Sequence, residues 1–283
     1  MKKRVSLVLA ALLLTALAGC GKEQVQEKQE TDTALTLTIV DGAKTGELLL
    51  AGDSADEVYT LETAGVKLLL DGKAAKPSAL QDGMSIEVDG QGVGQDGFPR
   101  QLKDPREIRA YSPGTKGHPA GPYQDLCGLY LQVLEDLWEK DSGLNSGVKY
   151  LSVDLSKAPG GLTEGQQHAI AWCFATNHEA EPLMLTHQEL AEQGYLTELP
   201  SGNEEITGEA PQPIYEWEDG LLCSITPVQE GRPEEAELPL SDTLRFRITK
   251  WRTPLGAYFL DDCQASWDET GAWSYSISRE AIA

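Results

Sequence analysis

Between residues 35 and 111, apolar and polar positions alternate in short runs broken by glycine-containing turns: LTLTIVDG, GELLLAGD, VYTLET, VKLLLDG, MSIEVDG and REIRAY. A period of two sends one face of each run into a core and the other into water, so each run is predicted to be a strand. The only helical candidate in this stretch is a single turn at PSALQDG, where Pro77 and Ser78 suit a first turn. So many short strands in so short a stretch predict a small, OB-like β-barrel over 35–111.

The next segment, YSPGTKGHPAGPYQ, is dense in proline and glycine, which marks residues 112–122 as a linker. Beyond it the period becomes helical. In YQDLCGLYLQVLEDLWEKD, Leu126, Tyr130, Val133, Leu134 and Leu137 share one face, while Gln132, Glu135, Asp136 and Glu139 share the other. VKYLSVDL alternates like a strand. Thr163 with Gln166, and Thr186 with Glu189, have capping-box spacing and place two further helix starts. Residues 200–214 are acidic and proline-rich, as a surface excursion would be. LLCSITPV, LRFRITKW, GAYFLDDCQASW and WSYSIS close the chain as strands. The fold class is therefore mainly β plus α+β. Residues 123–283 are expected to form an α+β domain whose antiparallel sheet carries helices on one face, in an NTF2-like or cystatin-like cone.

The chain starts differently. MKKR is basic, residues 5–16 are apolar, and LAG precedes Cys20, which is the anatomy of a secretory signal. The apolar run is too short to span a bilayer. Leu17, Ala18, Gly19 and Cys20 resemble the lipobox of bacterial lipoproteins. That resemblance implies that residues 1–19 are a signal peptide cleaved before Cys20, and that the Cys20 thiol carries a diacylglycerol holding the protein to the outer side of the cell membrane. Residues 20–34, polar beyond the cysteine, read as a flexible tether. LDGK, PSALQDGMSIEVDG and FPRQLKDPREIRAY also resemble a small domain of unknown function that recurs in Gram-positive lipoproteins. The tail WRTPLGAYFLDDCQASWDETGAWSYSI is similar to the ends of other secreted lipoproteins. Neither resemblance implies an activity.

Charge narrows the partners. A formal net charge of -22 repels phosphate backbones and anionic head groups, which disfavours a nucleic-acid role and leaves the lipid as the membrane contact. Cys127, Cys173, Cys223 and Cys263 are widely spaced in apolar company. They read as buried free thiols, with three disulfide pairings open in an oxidising compartment. GVGQDG satisfies G-x-G-x-x-G, but Pro99 and Pro105 follow where a helix is required, so it is read as a hairpin loop. No serine elbow or H-E-x-x-H motif is present, and His118, His168, His178 and His187 match no ligand spacing. No catalytic residue, metal or cofactor is assigned.

One strip remains. In TLRFRITKW, Leu244, Phe246 and Ile248 alternate to one face, leaving Arg245, Arg247 and Thr249 on the other, with Trp251 joining them. Such a strip suits a carboxylate, phosphate or sugar face. The same arginines would equally pair with acids on a neighbouring strand, Asp261 or Asp262 among them. Asp261 and Asp262 are adjacent, so without a bulge they point to opposite faces. The reading is a non-catalytic extracytoplasmic module that binds an envelope partner or a small anionic ligand. The alternative is an extracytoplasmic hydrolase with a site assembled from scattered residues. The lipidation expectation is checked directly: Cys20→Ala should abolish acylation and accumulate unprocessed precursor, seen by metabolic labelling and mobility on a gel.

Overall fold

The computed structural model describes residues 34–89, 92–93, 97–112, 115, 125–200, 213–228, 243–268 and 272–283. Cys20 and most of 112–122 lie outside them, as does part of the GVGQDG loop.

The first sheet contains β1 (Leu35–Asp41), β2 (Glu47–Ala51), β3 (Val58–Glu62), β4 (Lys67–Leu70), β5 (Lys73–Ala74), β6 (Ser85–Asp89), β7 (Gly92–Val93), β8 (Arg100–Lys103) and β9 (Glu107–Tyr111). Its order is β5-β4-β9-β6-β1-β2-β3-β8-β7. Pairing is antiparallel except for β3 with β8 and β4 with β9. The sheet gathers Leu37, Ile39, Leu48, Leu50, Ile86 and Ile108 into a core of its own, yet its end strands β5 and β7 are not paired with each other. The expected barrel is thus corrected to an open sheet. Turn chemistry explains its hairpins. Gly42 has φ +91°, and a β-carbon there would lie 1.9 Å from the Glu47 carbonyl oxygen, so only glycine permits the β1–β2 turn.

Strand β2 is the telling one. Glu-Leu-Leu-Leu-Ala does not alternate, because Leu48 and Leu50 enter the sheet's own core while Leu49 and Ala51 enter another. A strand that is apolar on successive residues is buried on both faces. The second cover is helical: α1 (Leu126–Glu139) and α2 (Glu164–Asn177) join Val40, Leu49, Ala51 and Val58 in one cluster. Apolar residues from before and after the 112–122 segment therefore share one core, and residues Asp32–Ala283 make one compact unit.

Helix α2 docks by its first turn. Thr163 Oγ1 donates to the Gly52 carbonyl (2.7 Å) and accepts from Gln166 N (3.1 Å), while Gln166 Oε1 accepts from Thr163 N (3.1 Å). The capping box therefore also anchors the β2–β3 hairpin. Gly165 lies so close that a β-carbon would fall 2.5 Å from the Gly52 oxygen.

The second sheet comprises β10 (Tyr150–Asp154), β11 (Glu181–Leu183), β14 (Gly220–Pro227), β15 (Thr243–Thr253), β16 (Gly256–Trp267) and β17 (Trp273–Ile282), ordered β11-β10-β14-β15-β16-β17. Strands β14 to β17 are antiparallel, but β10 runs parallel to both β11 and β14. The expected antiparallel sheet is corrected to a mixed one, because α2 serves as a crossover between β10 and β11, which a parallel pair requires. Helices α1 and α2 cover one face. The short α3 (His187–Glu192) covers part of the other, with the ribbon of β12 (Thr197–Leu199) and β13 (Ile214–Glu216), through Leu190, Leu196, Trp217 and Leu222. Helices thus occupy both faces, where one was expected.

On the inward face of β15, after Leu244, Phe246 and Ile248, comes a lysine. Lys250 has no exposed surface, and its ammonium donates to the carbonyls of Trp138 (3.0 Å), Lys140 (2.6 Å) and Asp141 (3.4 Å). The Trp138 and Lys140 carbonyls lie at the α1 C-terminus, whose last carbonyls lack intrahelical donors, and a cation there also meets the negative end of the helix dipole. Arg252 continues the tie, donating to the carbonyls of Leu144 (2.9 Å), Ser146 (2.6 Å), Trp217 (3.3 Å) and Glu218. Lys250→Met keeps the aliphatic stem and loses the ammonium. It should lower unfolding free energy by about 2–3 kcal/mol, the value of a hydrogen-bonded buried charge, as measured by urea denaturation.

Candidate functional site

The outward face of β15 and its neighbours carries the sequence-predicted residues. Arg245 and Arg247 alternate with the buried Leu244, Phe246 and Ile248, as the period of two requires. Opposite them, β16 departs from regular pairing: Phe246 faces Cys263 and Ile248 faces Leu260, so an extra residue of β16 is accommodated between them. Asp262 takes a left-handed backbone with φ +54°. This bulge brings Asp261 and Asp262, which a regular strand would separate, to the arginine side.

Arg245 donates through Nε (2.9 Å) and Nη2 (2.6 Å) to Asp262 Oδ1. Arg247 Nε donates to Asp261 Oδ1, Arg279 Nε of β17 donates to Asp261 Oδ2 at 3.1 Å, and Arg279 Nη2 lies 2.9 Å from the same oxygen. Three guanidinium groups thus gather around the Asp261 and Asp262 carboxylates on one face of an acidic chain. The side chain of Asp261 is 11% exposed, against 50% for Arg247 and 69% for Arg279. The carboxylate lies under the cations.

Trp251 stands on the same face of β15 but belongs to an aromatic group. The His187 ring meets it edge-on at 4.7 Å and meets Tyr215 at 5.8 Å, beneath α3 and the β12–β13 ribbon. The structure therefore brings Arg245 and Arg247 together, adds Arg279, and sets Trp251 at the covered end of the face. Arg279 carried no sequence signal, since it enters only through the pairing of β17 with β16.

Among the other places that hold titratable groups, three stand out. On the helices, His178 Nε2 lies 2.9 Å from Glu135 Oε2 and its ring stacks on Trp138 at 4.0 Å. The sulfur in that neighbourhood, Cys173, has its thiol pushed up to about 12 by burial and by the adjacent Asp41 carboxylate, so it is protonated and a poor nucleophile. Cys127, Cys223 and Cys263 are likewise buried free thiols. In the first sheet, a depression of about 600 Å³ is lined by Lys44, Thr45, Glu47, Glu62, Thr63 and Ser78. Its two glutamates face each other across β2 and β3. Among the described residues no group of three or more His, Cys, Asp or Glu side chains is arranged to hold a metal ion.

The third place is the start of α1, where Asp125 caps the helix by accepting from Gly128 N at 3.1 Å. Burial raises its pKa to about 6, the Gly128 hydrogen bond partly opposes this, and the nearby Asp82 and Asp41 add to the rise. A carboxyl whose folded pKa exceeds its unfolded value binds more protons when folded. Its contribution to stability is therefore greatest below about pH 4 and is lost as pH rises to about 6. Asp125→Asn keeps the capping oxygen and removes the charge. It should raise stability at pH 7 by about 1–2 kcal/mol and flatten the pH 4–6 slope, both read from denaturation curves. Comparison of the chain with family models, curated proteins and solved structures finds no match.

Proposed function

We propose that this protein is a lipid-anchored, extracytoplasmic binding module whose second sheet recognises an anionic ligand or envelope partner on its open face. The observation that carries the reading is the concentration of Arg245, Arg247 and Arg279 on one face of a chain of net charge -22. The three side chains stay substantially exposed while the Asp261 carboxylate beneath them is nearly buried. The Leu17-Ala18-Gly19-Cys20 pattern supports the lipid anchor and the extracytoplasmic side of the membrane, with residues 20–34 as the tether. Within this reading the first sheet is an OB-like arrangement left open at its ends, and the antiparallel part of the second, β14–β17 with α1 across it, is cystatin-like or NTF2-like.

In this reading the ligand is held rather than transformed. The arginines provide forked, charge-assisted hydrogen bonds, and the scaffold behind them is stiffened by the shared core and the Lys250 tie. The double variant Arg245→Ala, Arg247→Ala tests it. Capture of anionic cell-envelope polymers by the immobilised mature chain should fall at least about tenfold, the loss expected for one or two charge-assisted contacts. Cross-strand pairs contribute only about 0.2–1 kcal/mol each, so the melting temperature should move by a few degrees at most. Unchanged capture with lowered stability would assign the strip to the scaffold.

A further inference from the structure

Asp261 is placed to hold two arginines in fixed orientation. Oδ1 accepts from Arg247 on β15 and Oδ2 from Arg279 on β17, so one carboxylate on β16 bridges the strands on either side of it. Arg247 spends its Nε on this contact and Arg279 its Nε, with Arg279 Nη2 in ion-pair contact with the same carboxylate. Among the described residues no other acceptor meets either side chain, so the two terminal nitrogens of Arg247 and Nη1 of Arg279 make no hydrogen bond there. Besides the Arg245–Asp262 pair, neutral polar residues flank the two arginines. Thr226 is opposite Arg247 on β14, and Gln264 is opposite Arg245, with Ser276 beyond it on β17.

We propose that Arg247 and Arg279, oriented by Asp261, form a two-arginine clamp for the phosphate group of the ligand. This rests on the binding reading above and narrows its chemistry. The two forks come from strands on opposite sides of Asp261. A carboxylate has two coplanar oxygens and satisfies one fork, whereas a tetrahedral phosphate retains further oxygens for the second. The hydroxyl of Thr226 and the amide of Gln264 add neutral donors beside the charge. Asp261 is a positioning residue: it lies beneath the guanidinium groups and touches the ligand only through them.

Charge and geometry make opposite forecasts, which allows a decisive test. Inorganic phosphate, with acetate as the comparison anion, is titrated into the mature chain (residues 20–283) and followed by calorimetry and by the NMR signals of the arginine Nε–H groups. Phosphate should bind saturably, at least about tenfold more tightly than acetate, with the Arg247 and Arg279 signals shifting together. Asp261→Asn makes the face more positive, so a diffuse cationic patch would bind phosphate more tightly. The clamp predicts about tenfold weaker binding instead, because the forks lose their alignment. Arg247→Lys keeps the charge on a half-exposed side chain, does not threaten folding, and should weaken phosphate binding comparably. Binding that is unchanged or tighter in Asp261→Asn, unchanged in Arg247→Lys, or equal for acetate and phosphate overturns the clamp. If phosphate fails while polymer capture still depends on Arg245 and Arg247, the phosphate assignment falls and the binding reading stands. If capture is also insensitive to those arginines, both fall.

Discussion

Burial of α2 on two sides is the constraint on which the rest of the structure depends. Its small residues Gly165, Ala169, Ala171 and Ala175 are all buried, and so are Ile170, Cys173 and Phe174 around the remaining circumference. A helix with apolar residues nearly all round cannot rest on a single sheet with its back to water. It is held between the first sheet, through Val40, Leu49, Ala51 and Val58, and the second, through Leu151, Val153 and Leu221. The close approach at Gly165 and the hydrogen bond from Thr163 to Gly52 fix its start. Two sheets that each possess apolar residues on both faces are thereby joined through one interior.

The same demand for complete satisfaction of buried groups explains Lys250. Helix α1 ends against the second sheet, and its last carbonyls lack intrahelical donors and need partners from elsewhere. A lysine threaded through the inward face of β15 supplies donors from the sheet itself. Burial pushes its pKa down, whereas the three carbonyl contacts favour the charged form. One strand therefore does two jobs on its two faces: inward, it closes the end of a helix; outward, it carries Arg245 and Arg247.

The outward arrangement depends on the β16 bulge. In a regular strand Asp261 and Asp262 would diverge, and one carboxylate would enter the apolar interior beside Leu260 and Cys263. The left-handed backbone at Asp262 avoids this and sets both acids among the arginines. The cost of that conformation is offset by charge-assisted contacts made on both sides.

Period-two alternation and capping-box spacing sufficed to place the main strands and to start α2 and α3, because these are local properties of the backbone and of side chains within one turn. The inward and outward faces of β15 were legible for the same reason, and so were Arg245 and Arg247 as neighbours on one side. What the chain does with those elements was not local. The run Leu48-Leu49-Leu50-Ala51 carried a sign that both faces of β2 are buried, but not what would cover the second. Barrel closure failed because it depends on the pairing of distant edge strands, and the parallel placement of β10 depends on where α2 crosses. Arg279 joined the site, and Trp251 was drawn beneath α3, through strand register and packing between residues far apart in sequence. Side-chain type and spacing determined which elements form and which faces they present; only the tertiary structure decided which faces meet, because burial and register are settled between segments and not within them.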